Sequence, residues 1–279
     1  MDEKKNHNQA GRKYITMKLP IYQVDAFASK VFEGNPAAVC PLPHWLHDDI
    51  LLSIAAENNL SETAFYVITN NGFHIRWFTP TAEVDLCGHA TLASAFIIFT
   101  EFNYPSETIS FESRSGILTV TKKDALLVMN FPAQPATPCD LPVELEQAFA
   151  ITPLECLASE DYILVCNSED EVRKAQPRLE LLKNIDRRGV MITAPAEHYD
   201  FIMRFFAPKY GIDEDPVTGS AYTQLTPYWA NRLGKNALHA KQVSTRGGEV
   251  FCQAIGERIS IAGSAVKYLQ GEITITTHS

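Results

Sequence analysis

The sequence lacks the features that identify several common classes of protein. Its longest apolar run, residues 92–99, is much shorter than the roughly 20 residues that a membrane-spanning helix needs. The basic residues form no extended block and the net charge is −9, so we expect no nucleic-acid-binding face. The polar segment at residues 1–16 has no apolar signal core. These absences predict a cytoplasmic protein that binds neither membranes nor nucleic acids.

Motifs for metals, disulfides and nucleotides are also missing. The six cysteines are scattered along the chain, without a C-x-x-C pair or a cysteine–histidine cluster at zinc spacing. The chain has no phosphate-binding loop, no G-x-G-x-x-G motif after a strand and no G-x-S-x-G motif. We therefore expect free thiols, no metal and no cofactor, with any chemistry performed by acid and base groups of the protein itself.

What the chain does contain is typical of a globular protein rich in strands. Apolar residues make up 46% and charged residues 20%, so a core can form without disulfides or metals. Strand-like runs dominate both halves of the chain. Two apolar helices are expected, one at residues 88–102 and one at residues 218–233, where Pro227 can introduce a kink. The fold class that follows is α+β.

The boundaries between domains are predicted from proline content. Residues 132–142 contain four prolines in eleven residues, which cannot continue a helix or the interior of a sheet. We interpret this segment as a linker. The predicted organisation is a flexible extension at 1–16, a first α+β domain at 17–131, and a second at 143–279 whose last strands can pack back on the first.

The two halves share a sequence pattern that indicates an internal duplication. R-W-F-T-P at residues 76–80 resembles R-F-F-A-P at residues 204–208. Each motif leads through a short acidic loop to a predicted helix start, C-G-H-A at 87–90 and T-G-S-A at 218–221. Two similar halves that face one another create a cleft between them, which is a common place for a ligand site.

The two helix starts suggest a site for an anionic group. Gly88 and Gly219 let a ligand approach the backbone closely, and the first N–H groups of a helix carry the positive end of its dipole. A carboxylate is the simplest partner for such a pair. The alternative is ordinary N-capping by His89, Ser220 or Thr218. The duplication of the feature favours the anion site.

Other polar residues near these starts have both a structural and a chemical interpretation. His89 is either a satisfied structural histidine or a catalytic one. Asp215 precedes a proline, as turn residues often do, but it could fix the tautomer of His89 or raise its pKa if the two face each other. Cys87 is a candidate base, because a helix dipole would lower the pKa of its thiol. Its counterpart in the repeat, Thr218, is not a thiol, which disfavours a racemase with two cysteines.

Glu62 lies in N-L-S-E-T-A-F, residues 59–65, where a polar helix end is followed by a strand-like run. By itself, the residue could simply cap and solubilise this junction, or it could transfer a proton.

Four motifs in this order resemble the PhzF-like (phenazine-biosynthesis) isomerases of the diaminopimelate epimerase fold. The similarity extends over nearly the whole chain from about residue 19. The motifs are V-D-A-F with F-E-G-N-P-A-A-V (24–39), N-L-S-E-T-A-F (59–65), R-W-F-T-P with C-G-H-A-T (76–91) and E-D-P-V-T-G-S-A (214–221). The chain differs from the phenazine enzyme itself at Cys87, where that enzyme has alanine, and in the segment from Val243. These differences leave the substrate unassigned.

The resemblance implies two similar domains, each a curved β-sheet wrapped around a central helix, with the active site between them. It also implies a homodimer and a mechanism without a cofactor. Glu62 would be the general acid/base that removes a proton from one carbon and returns it elsewhere on the substrate. His89, Asp215, Gly88 and Ser220 would line the substrate site.

Three hypotheses for the function follow. The first is an isomerase that shifts a proton on a small anionic, carboxylate-bearing metabolite, with Glu62 as the proton carrier and His89 and Asp215 in support. The second is an amino- or imino-acid racemase or dehydratase that uses Cys87 with Thr218 opposite. The third is a binding protein that keeps the fold without turnover.

Overall fold

The structure is a computed structural model that describes residues 14–278. The first half of the chain forms β1 (Tyr14–Ala26), β2 (Asn35–Pro41), α1 (Asp48–Asn58), β3 (Glu62–Thr69), β4 (Gly72–Phe78), β5 (Glu83–Val84), α2 (Gly88–Glu101), β6 (Thr108–Ser113), β7 (Gly116–Lys123) and β8 (Leu126–Pro132). Residues 1–13 of the predicted extension lie outside the described range. The remaining three residues of that extension belong to β1.

The second half contains β9 (Thr137–Pro138), α3 (Val143–Phe149), β10 (Glu155–Ala158), β11 (Tyr162–Val165), α4 (Glu169–Lys174), α5 (Leu179–Leu182), β12 (Val190–Pro195), β13 (Phe201–Ala207), β14 (Ile212–Asp215), α6 (Tyr222–Leu233), β15 (Ala237–Gln242), β16 (Gly248–Ile255), β17 (Arg258–Gly263) and β18 (Ala265–His278). Short 3₁₀ turns cover Pro208–Tyr210 and Gly219–Ala221. This mixture of strands and helices confirms the predicted α+β class.

The strands of the two halves pair in the same order. In the first half β2–β3 is parallel, β3–β4 antiparallel, β4–β6 parallel, and β6–β7 and β7–β8 antiparallel. In the second half β11–β12, β12–β13, β13–β15, β15–β16 and β16–β17 repeat that sequence of directions. A motif and a pairing order that recur together confirm the internal duplication.

Two antiparallel pairs connect the halves. β18 returns to pair with β1 from Ala26↔Ala265 to Tyr14↔His278. β8 pairs with β17 from Pro132↔Arg258 to Leu127↔Gly263. Within residues 132–142, β9 pairs with β10 in the second half. The division of the chain at this segment stays a prediction.

Each half encloses one of the predicted helices. α2 packs against β1, β2, β3, β8 and β18, and α6 packs against β15, β16 and β17. Ten of the fourteen residues of α2 are buried, because the helix is apolar on all sides. Buried residues of both helices belong to one continuous core. α2 also contacts the 3₁₀ turn at Gly219–Ala221, which precedes α6.

The second helix begins later than predicted. The amide of Ala221 donates to the carbonyl of Thr218, a bond of the 3₁₀ type, so residues 219–221 form a tight turn and α6 starts at Tyr222. Pro227 does not interrupt α6, which ends at Leu233, where Gly234 adopts a left-handed conformation with φ of 66°.

The repeated R-x-F-x-P motif has a structural explanation. Nε and Nη2 of Arg76 donate to the two carboxylate oxygens of Glu83, each at 2.7 Å. Arg204 forms the same fork with Glu214 at 2.7 and 2.9 Å. Each arginine thus fixes the acidic loop that leads to its helix start.

In the described part of the chain, no helix is long and apolar enough to cross a membrane.

Candidate active site

Glu62 is the first residue of β3 and lies in the interior of the molecule. The preceding helix, α1, ends at Asn58, and the next residue, Asn59, has a φ of 49° that turns the chain sharply towards β3. Glu62 then pairs with Ala37 of β2 in a parallel ladder. Its side chain is only 13% exposed, and Oε2 lies 3.2 Å from Nε2 of His89. The junction therefore points a carboxyl group inwards rather than towards solvent.

His89 lies in the first turn of α2, between two potential partners. Its Nε2 faces Glu62, and its Nδ1 lies 3.5 Å from Sγ of Cys87. Cys87 is the N-cap residue of α2, and its side chain makes no capping hydrogen bond. Because both ring nitrogens face residues of the first half, Asp215 does not hold the imidazole. The hydrogen bonds of Asp215 go to other residues, so the condition under which it would fix the tautomer of His89, that the two side chains face each other, is not met.

Asp215 is buried and takes part in a different set of hydrogen bonds. Its Oδ1 accepts from Nδ2 of Asn35 at 2.8 Å, and its Oδ2 accepts from the hydroxyl of Thr218 at 2.5 Å. Asn35 begins β2, so this bond joins the two halves. Nδ2 of Asn35 also donates to the carbonyl of Val217 at 2.9 Å. Asparagine and threonine together hold the carboxylate in one orientation.

Asn35 and Gln242 are two residues of this cluster that sequence reasoning missed. Nε2 of Gln242 donates to the carbonyl of Asp215 at 2.7 Å, and its Oε1 accepts from the amide of Thr218 at 2.8 Å. Asn35 belongs to F-E-G-N-P-A-A-V, and by itself the Gly-Asn-Pro sequence indicates only a turn. Gln242 ends a strand-like run that contains no local signal for such a role.

Both helix starts lack a side-chain cap, so the capping interpretation is wrong. Thr218 directs its hydroxyl to Asp215, and Ser220 and His89 do not cap. Gly88 and Gly219 are not required for a left-handed backbone, because neither has a positive φ. A Cβ at Gly88 would be 4.0 Å from the Met129 side chain, so packing does not require glycine there either. Gly88 instead leaves the backbone at the start of α2 uncovered by a side chain.

Burial determines the protonation of the cluster. It raises the pKa of Glu62 to about 7, with the charge of Asp215 as a further cause. It raises the pKa of Asp215 to about 6, against the opposing hydrogen bonds from Thr218 and Asn35. It lowers the pKa of His89 to about 4 and raises that of Cys87 well above its ordinary value. Near pH 7 the imidazole is neutral, Cys87 is a thiol, and Glu62 exchanges its proton readily.

This result corrects the expectation for Cys87. The helix dipole was expected to lower the pKa of its thiol. The cost of burying a thiolate, followed by the nearby charge of Glu62, outweighs it, although the amide of Ala90 acts in the opposite direction.

Comparison with known proteins identifies the family. The sequence model of the family described as "Phenazine biosynthesis-like protein" matches residues 24–271. A Pseudomonas aeruginosa protein named "uncharacterized isomerase" is 50% identical over 261 residues, which cover 93% of this chain and all of the relative. The chain belongs to the phenazine biosynthesis-like (PhzC/PhzF) family. It is an isomerase of that family.

Solved structures agree with the assignment to this family. A PhzF family protein from Enterococcus faecalis superposes with a TM-score of 0.90 at 44% identity, covering 92% of this chain and 99% of the other. A hydroxyproline epimerase from Agrobacterium vitis superposes with a TM-score of 0.60 at 9% identity, covering 94% of this chain and 93% of the other. The second likeness shows the fold alone, which is the diaminopimelate epimerase-like fold.

Three side chains of this PhzF-like isomerase could in principle hold a metal ion. Ligand atoms of Glu62, Cys87 and His89 all lie within 4.8 Å of one another, and zinc accepts carboxylate, thiolate and imidazole ligands. However, the imidazole presents Nε2 to the carboxylate and Nδ1 to the sulfur. One ion can bind only one nitrogen of the ring, so it would take the place of the contact that this nitrogen makes. The arrangement is better suited to proton transfer.

The polar atoms of the cluster are not all satisfied. Among the described side chains, Oε2 of Glu62, Nε2 of His89 and Oδ1 of Asn35 are buried without an aligned hydrogen-bond partner. Buried polar groups are usually paired, and unpaired ones are common where a ligand binds. Oε2 and Nε2 are close in space but not aligned with each other. These atoms are well suited to contact a polar ligand.

We expect Glu62 to make the free energy of unfolding depend on pH. Its pKa is about 7 in the folded protein against an ordinary value of 4.5. The folded state therefore favours the protonated form, and this contribution is lost as the pH rises through about 7. It amounts to at most about 3 kcal/mol. Thermal unfolding from about pH 5 to pH 8 should show the wild type losing Tm relative to Glu62→Gln, whose amide does not titrate. Parallel Tm curves would contradict the raised pKa.

Proposed function

We propose that this PhzF-like protein is a cofactor-independent isomerase that moves a proton within a small carboxylate-bearing metabolite. Glu62 is the proton carrier in this proposal. The observation that carries it is a carboxyl group in the interior, 3.2 Å from a neutral imidazole, with its pKa raised to about 7. An acid/base group is most effective when its pKa lies near the working pH, because it can then both accept and donate a proton.

The proposed reaction uses one carboxyl group for both transfers. The ionised Glu62 removes a proton from a carbon next to an activating group, and the acid that results returns the proton to another position. His89 polarises the substrate or relays the proton through Nε2, which is buried without an aligned partner. Asp215, oriented by Asn35 and Thr218, supports this step from the second half. No cofactor takes part.

The helix starts supply the binding site for the anionic part of the substrate. The beginning of α2 at Gly88 and the 3₁₀ turn at Gly219 and Ser220 both lack side-chain caps. Their first amides and the positive end of the α2 dipole favour a carboxylate. Cys87 and Thr218, the residues before the two turns, complete the proposed substrate site.

The experiment for this proposal is a screen of small carboxylates followed by proton exchange. Compounds that raise the Tm of the protein are incubated with it in deuterated water and followed by proton NMR. We expect one carbon-bound proton of a true substrate to be replaced while a product accumulates, and Glu62→Gln to abolish both changes. A compound that binds without any exchange or turnover would favour the binding-protein hypothesis instead.

The racemase or dehydratase alternative receives less support from the site. Burial keeps Cys87 protonated, and Thr218 uses its hydroxyl to hold Asp215. We expect Cys87→Ser to keep more than about a tenth of the turnover, because serine preserves the polar contact without a thiolate. The measurement is kcat on the substrate from the screen. A loss as large as that of a general base, about 10²-fold or more, would make Cys87 a catalytic base.

The proposal also includes a cytoplasmic homodimer, on the basis of the family resemblance. Light scattering during gel filtration tests the dimer, which has twice the mass of the chain.

A further inference from the structure

Two cysteines that are distant in sequence lie side by side, away from the active site. Cys139 directly follows β9, and Cys156 is the second residue of β10. Pro138 pairs with Leu157, so continuing the register by one residue places Cys139 opposite Cys156. The amide of Cys139 donates to the carbonyl of Cys156 at 3.0 Å, and the two Sγ atoms are 3.5 Å apart.

This geometry suits a covalent bond between the two sulfurs. Directly opposed residues of an antiparallel pair have Cα atoms about 4.5–5.5 Å apart, which is within the range that disulfides span. Only the sulfurs must approach, by about 1.5 Å, to reach the length of an S–S bond. We propose that Cys139 and Cys156 form a reversible disulfide by exchange with a low-molecular-weight disulfide such as oxidised glutathione.

The exposure of the two thiols determines the order of the steps. Cys139 is exposed, whereas Cys156 is partly buried. The thiolate of Cys139 attacks one sulfur of oxidised glutathione and releases one glutathione thiolate. Cys156 then gives up its proton and attacks Sγ of Cys139, releasing the second glutathione. Two protein thiols are oxidised and one glutathione disulfide is reduced to two thiols. Burial raises the pKa of Cys156 to about 12, which agrees with Cys139 reacting first.

The position of the pair suggests what the bond would stabilise. It would close a loop of 17 residues that begins in the predicted linker. In the same segment, the backbone N–H of Gln134 donates to the carbonyl of Thr223 in α6. The hydroxyl of Thr223 lies 2.7 Å from the side-chain Oε1 of Gln134. That hydroxyl also donates to the carbonyl of Ser220. The disulfide would therefore fasten a segment that packs on the second helix start.

The test treats the purified full chain with oxidised glutathione and maps its peptides by mass spectrometry without reduction. We expect the peptides that contain Cys139 and Cys156 to be linked, with the loss of two hydrogen atoms, and dithiothreitol to reverse the link. We also expect Tm to rise by roughly 5 °C on oxidation, because a loop of this length is constrained in the unfolded chain. The buried cysteines at positions 40, 87, 166 and 252 serve as internal controls and should remain free.

Two variants separate this mechanism from general thiol oxidation. Cys156→Ser should retain one glutathione on Cys139, because no second thiol displaces it. Cys139→Ser should stay largely unmodified, because the partly buried thiol reacts slowly. Neither variant should gain Tm on oxidation. Separate glutathione adducts on both cysteines of the wild type, two free thiols after treatment, or a link to another cysteine would overturn the proposal.

Discussion

Glu62→Gln is expected to lower kcat by about 10²–10⁴-fold, the contribution of a positioned acid or base. Glutamine has nearly the same shape as glutamate but cannot accept or return a proton. The fold of the variant should be intact, because the substitution removes a carboxylate that is costly to bury rather than a stabilising charge. Turnover of the substrate identified by proton exchange is the measurement, and circular dichroism and Tm at about pH 7.5 report on the fold.

Glu101→Gln is the matched control for this result. It makes the same change of charge at the end of α2, where Glu101 is 24% exposed and pairs with Lys267 outside the candidate site. We expect this control to keep nearly full turnover. If Glu62→Gln were as active as Glu101→Gln, Glu62 would not be the proton carrier. If both were inactive, the loss would be due to the fold rather than to proton transfer.

Gly34→Ala is expected to destabilise the protein by about 3 kcal/mol or more, which corresponds to a loss in Tm of roughly 5 °C or more. Gly34 has a φ of +67°, which side chains with a Cβ rarely adopt. A Cβ here would be 2.2 Å from the carbonyl oxygen of Ala26 and 2.8 Å from the Cβ of Ala28. The amide of Gly34 also donates to the carbonyl of Gly247 at 2.6 Å, so the backbone cannot easily move away.

The control for Gly34 is Gly256→Ala. Gly256 has a φ of +59°, but an added Cβ would meet no atom within 4 Å. Gly256→Ala should therefore lose only the free energy that alanine needs to adopt the left-handed conformation, about 1 kcal/mol. Thermal and urea unfolding of both variants separate this conformational cost from the steric cost. Equal losses of stability would mean that the contact with Ala26 relaxes freely.

Gly34→Ala also tests how the candidate active site is supported. Gly34 precedes Asn35, which donates to Asp215 across the two halves. A backbone shift at Gly34 would disturb this hydrogen bond and lower turnover in the fraction of Gly34→Ala that remains folded. The family motif F-E-G-N-P-A-A-V thus joins a steric requirement at one residue to a polar contact at the next.

Some features of the protein could be predicted because their causes are local. α2 was recognised from its apolar residues alone, and it ends one residue before the predicted end. The duplication was visible because two arginine motifs recur at similar distances from two helix starts. Their structural role, the forks from Arg76 to Glu83 and from Arg204 to Glu214, involves residues only 7 and 10 positions apart. Because the paired residues are close together in the chain, the whole pattern lies within one short segment of sequence.

The partners of Asp215 could not be predicted in this way. Asn35 is 180 residues away in the chain, and Gln242 is 27 residues away. No local pattern links such residues, because their contact depends on how strands from different parts of the chain pair. The same reason explains why the sequence left open whether Asp215 faces His89, and why Cys139 and Cys156 were classed among scattered thiols.

The sequence by itself determined the α+β class, the family, the duplicated helix starts and the candidate residues, since periodicity and motifs record these directly. Only the tertiary structure decided how these residues are protonated and with which groups they pair. Burial acts in opposite directions on a carboxyl and an imidazole, so it raises the pKa of Glu62 to about 7 and lowers that of His89 to about 4. The dielectric environment of a group depends on every segment packed around it, and a linear motif contains no record of that environment.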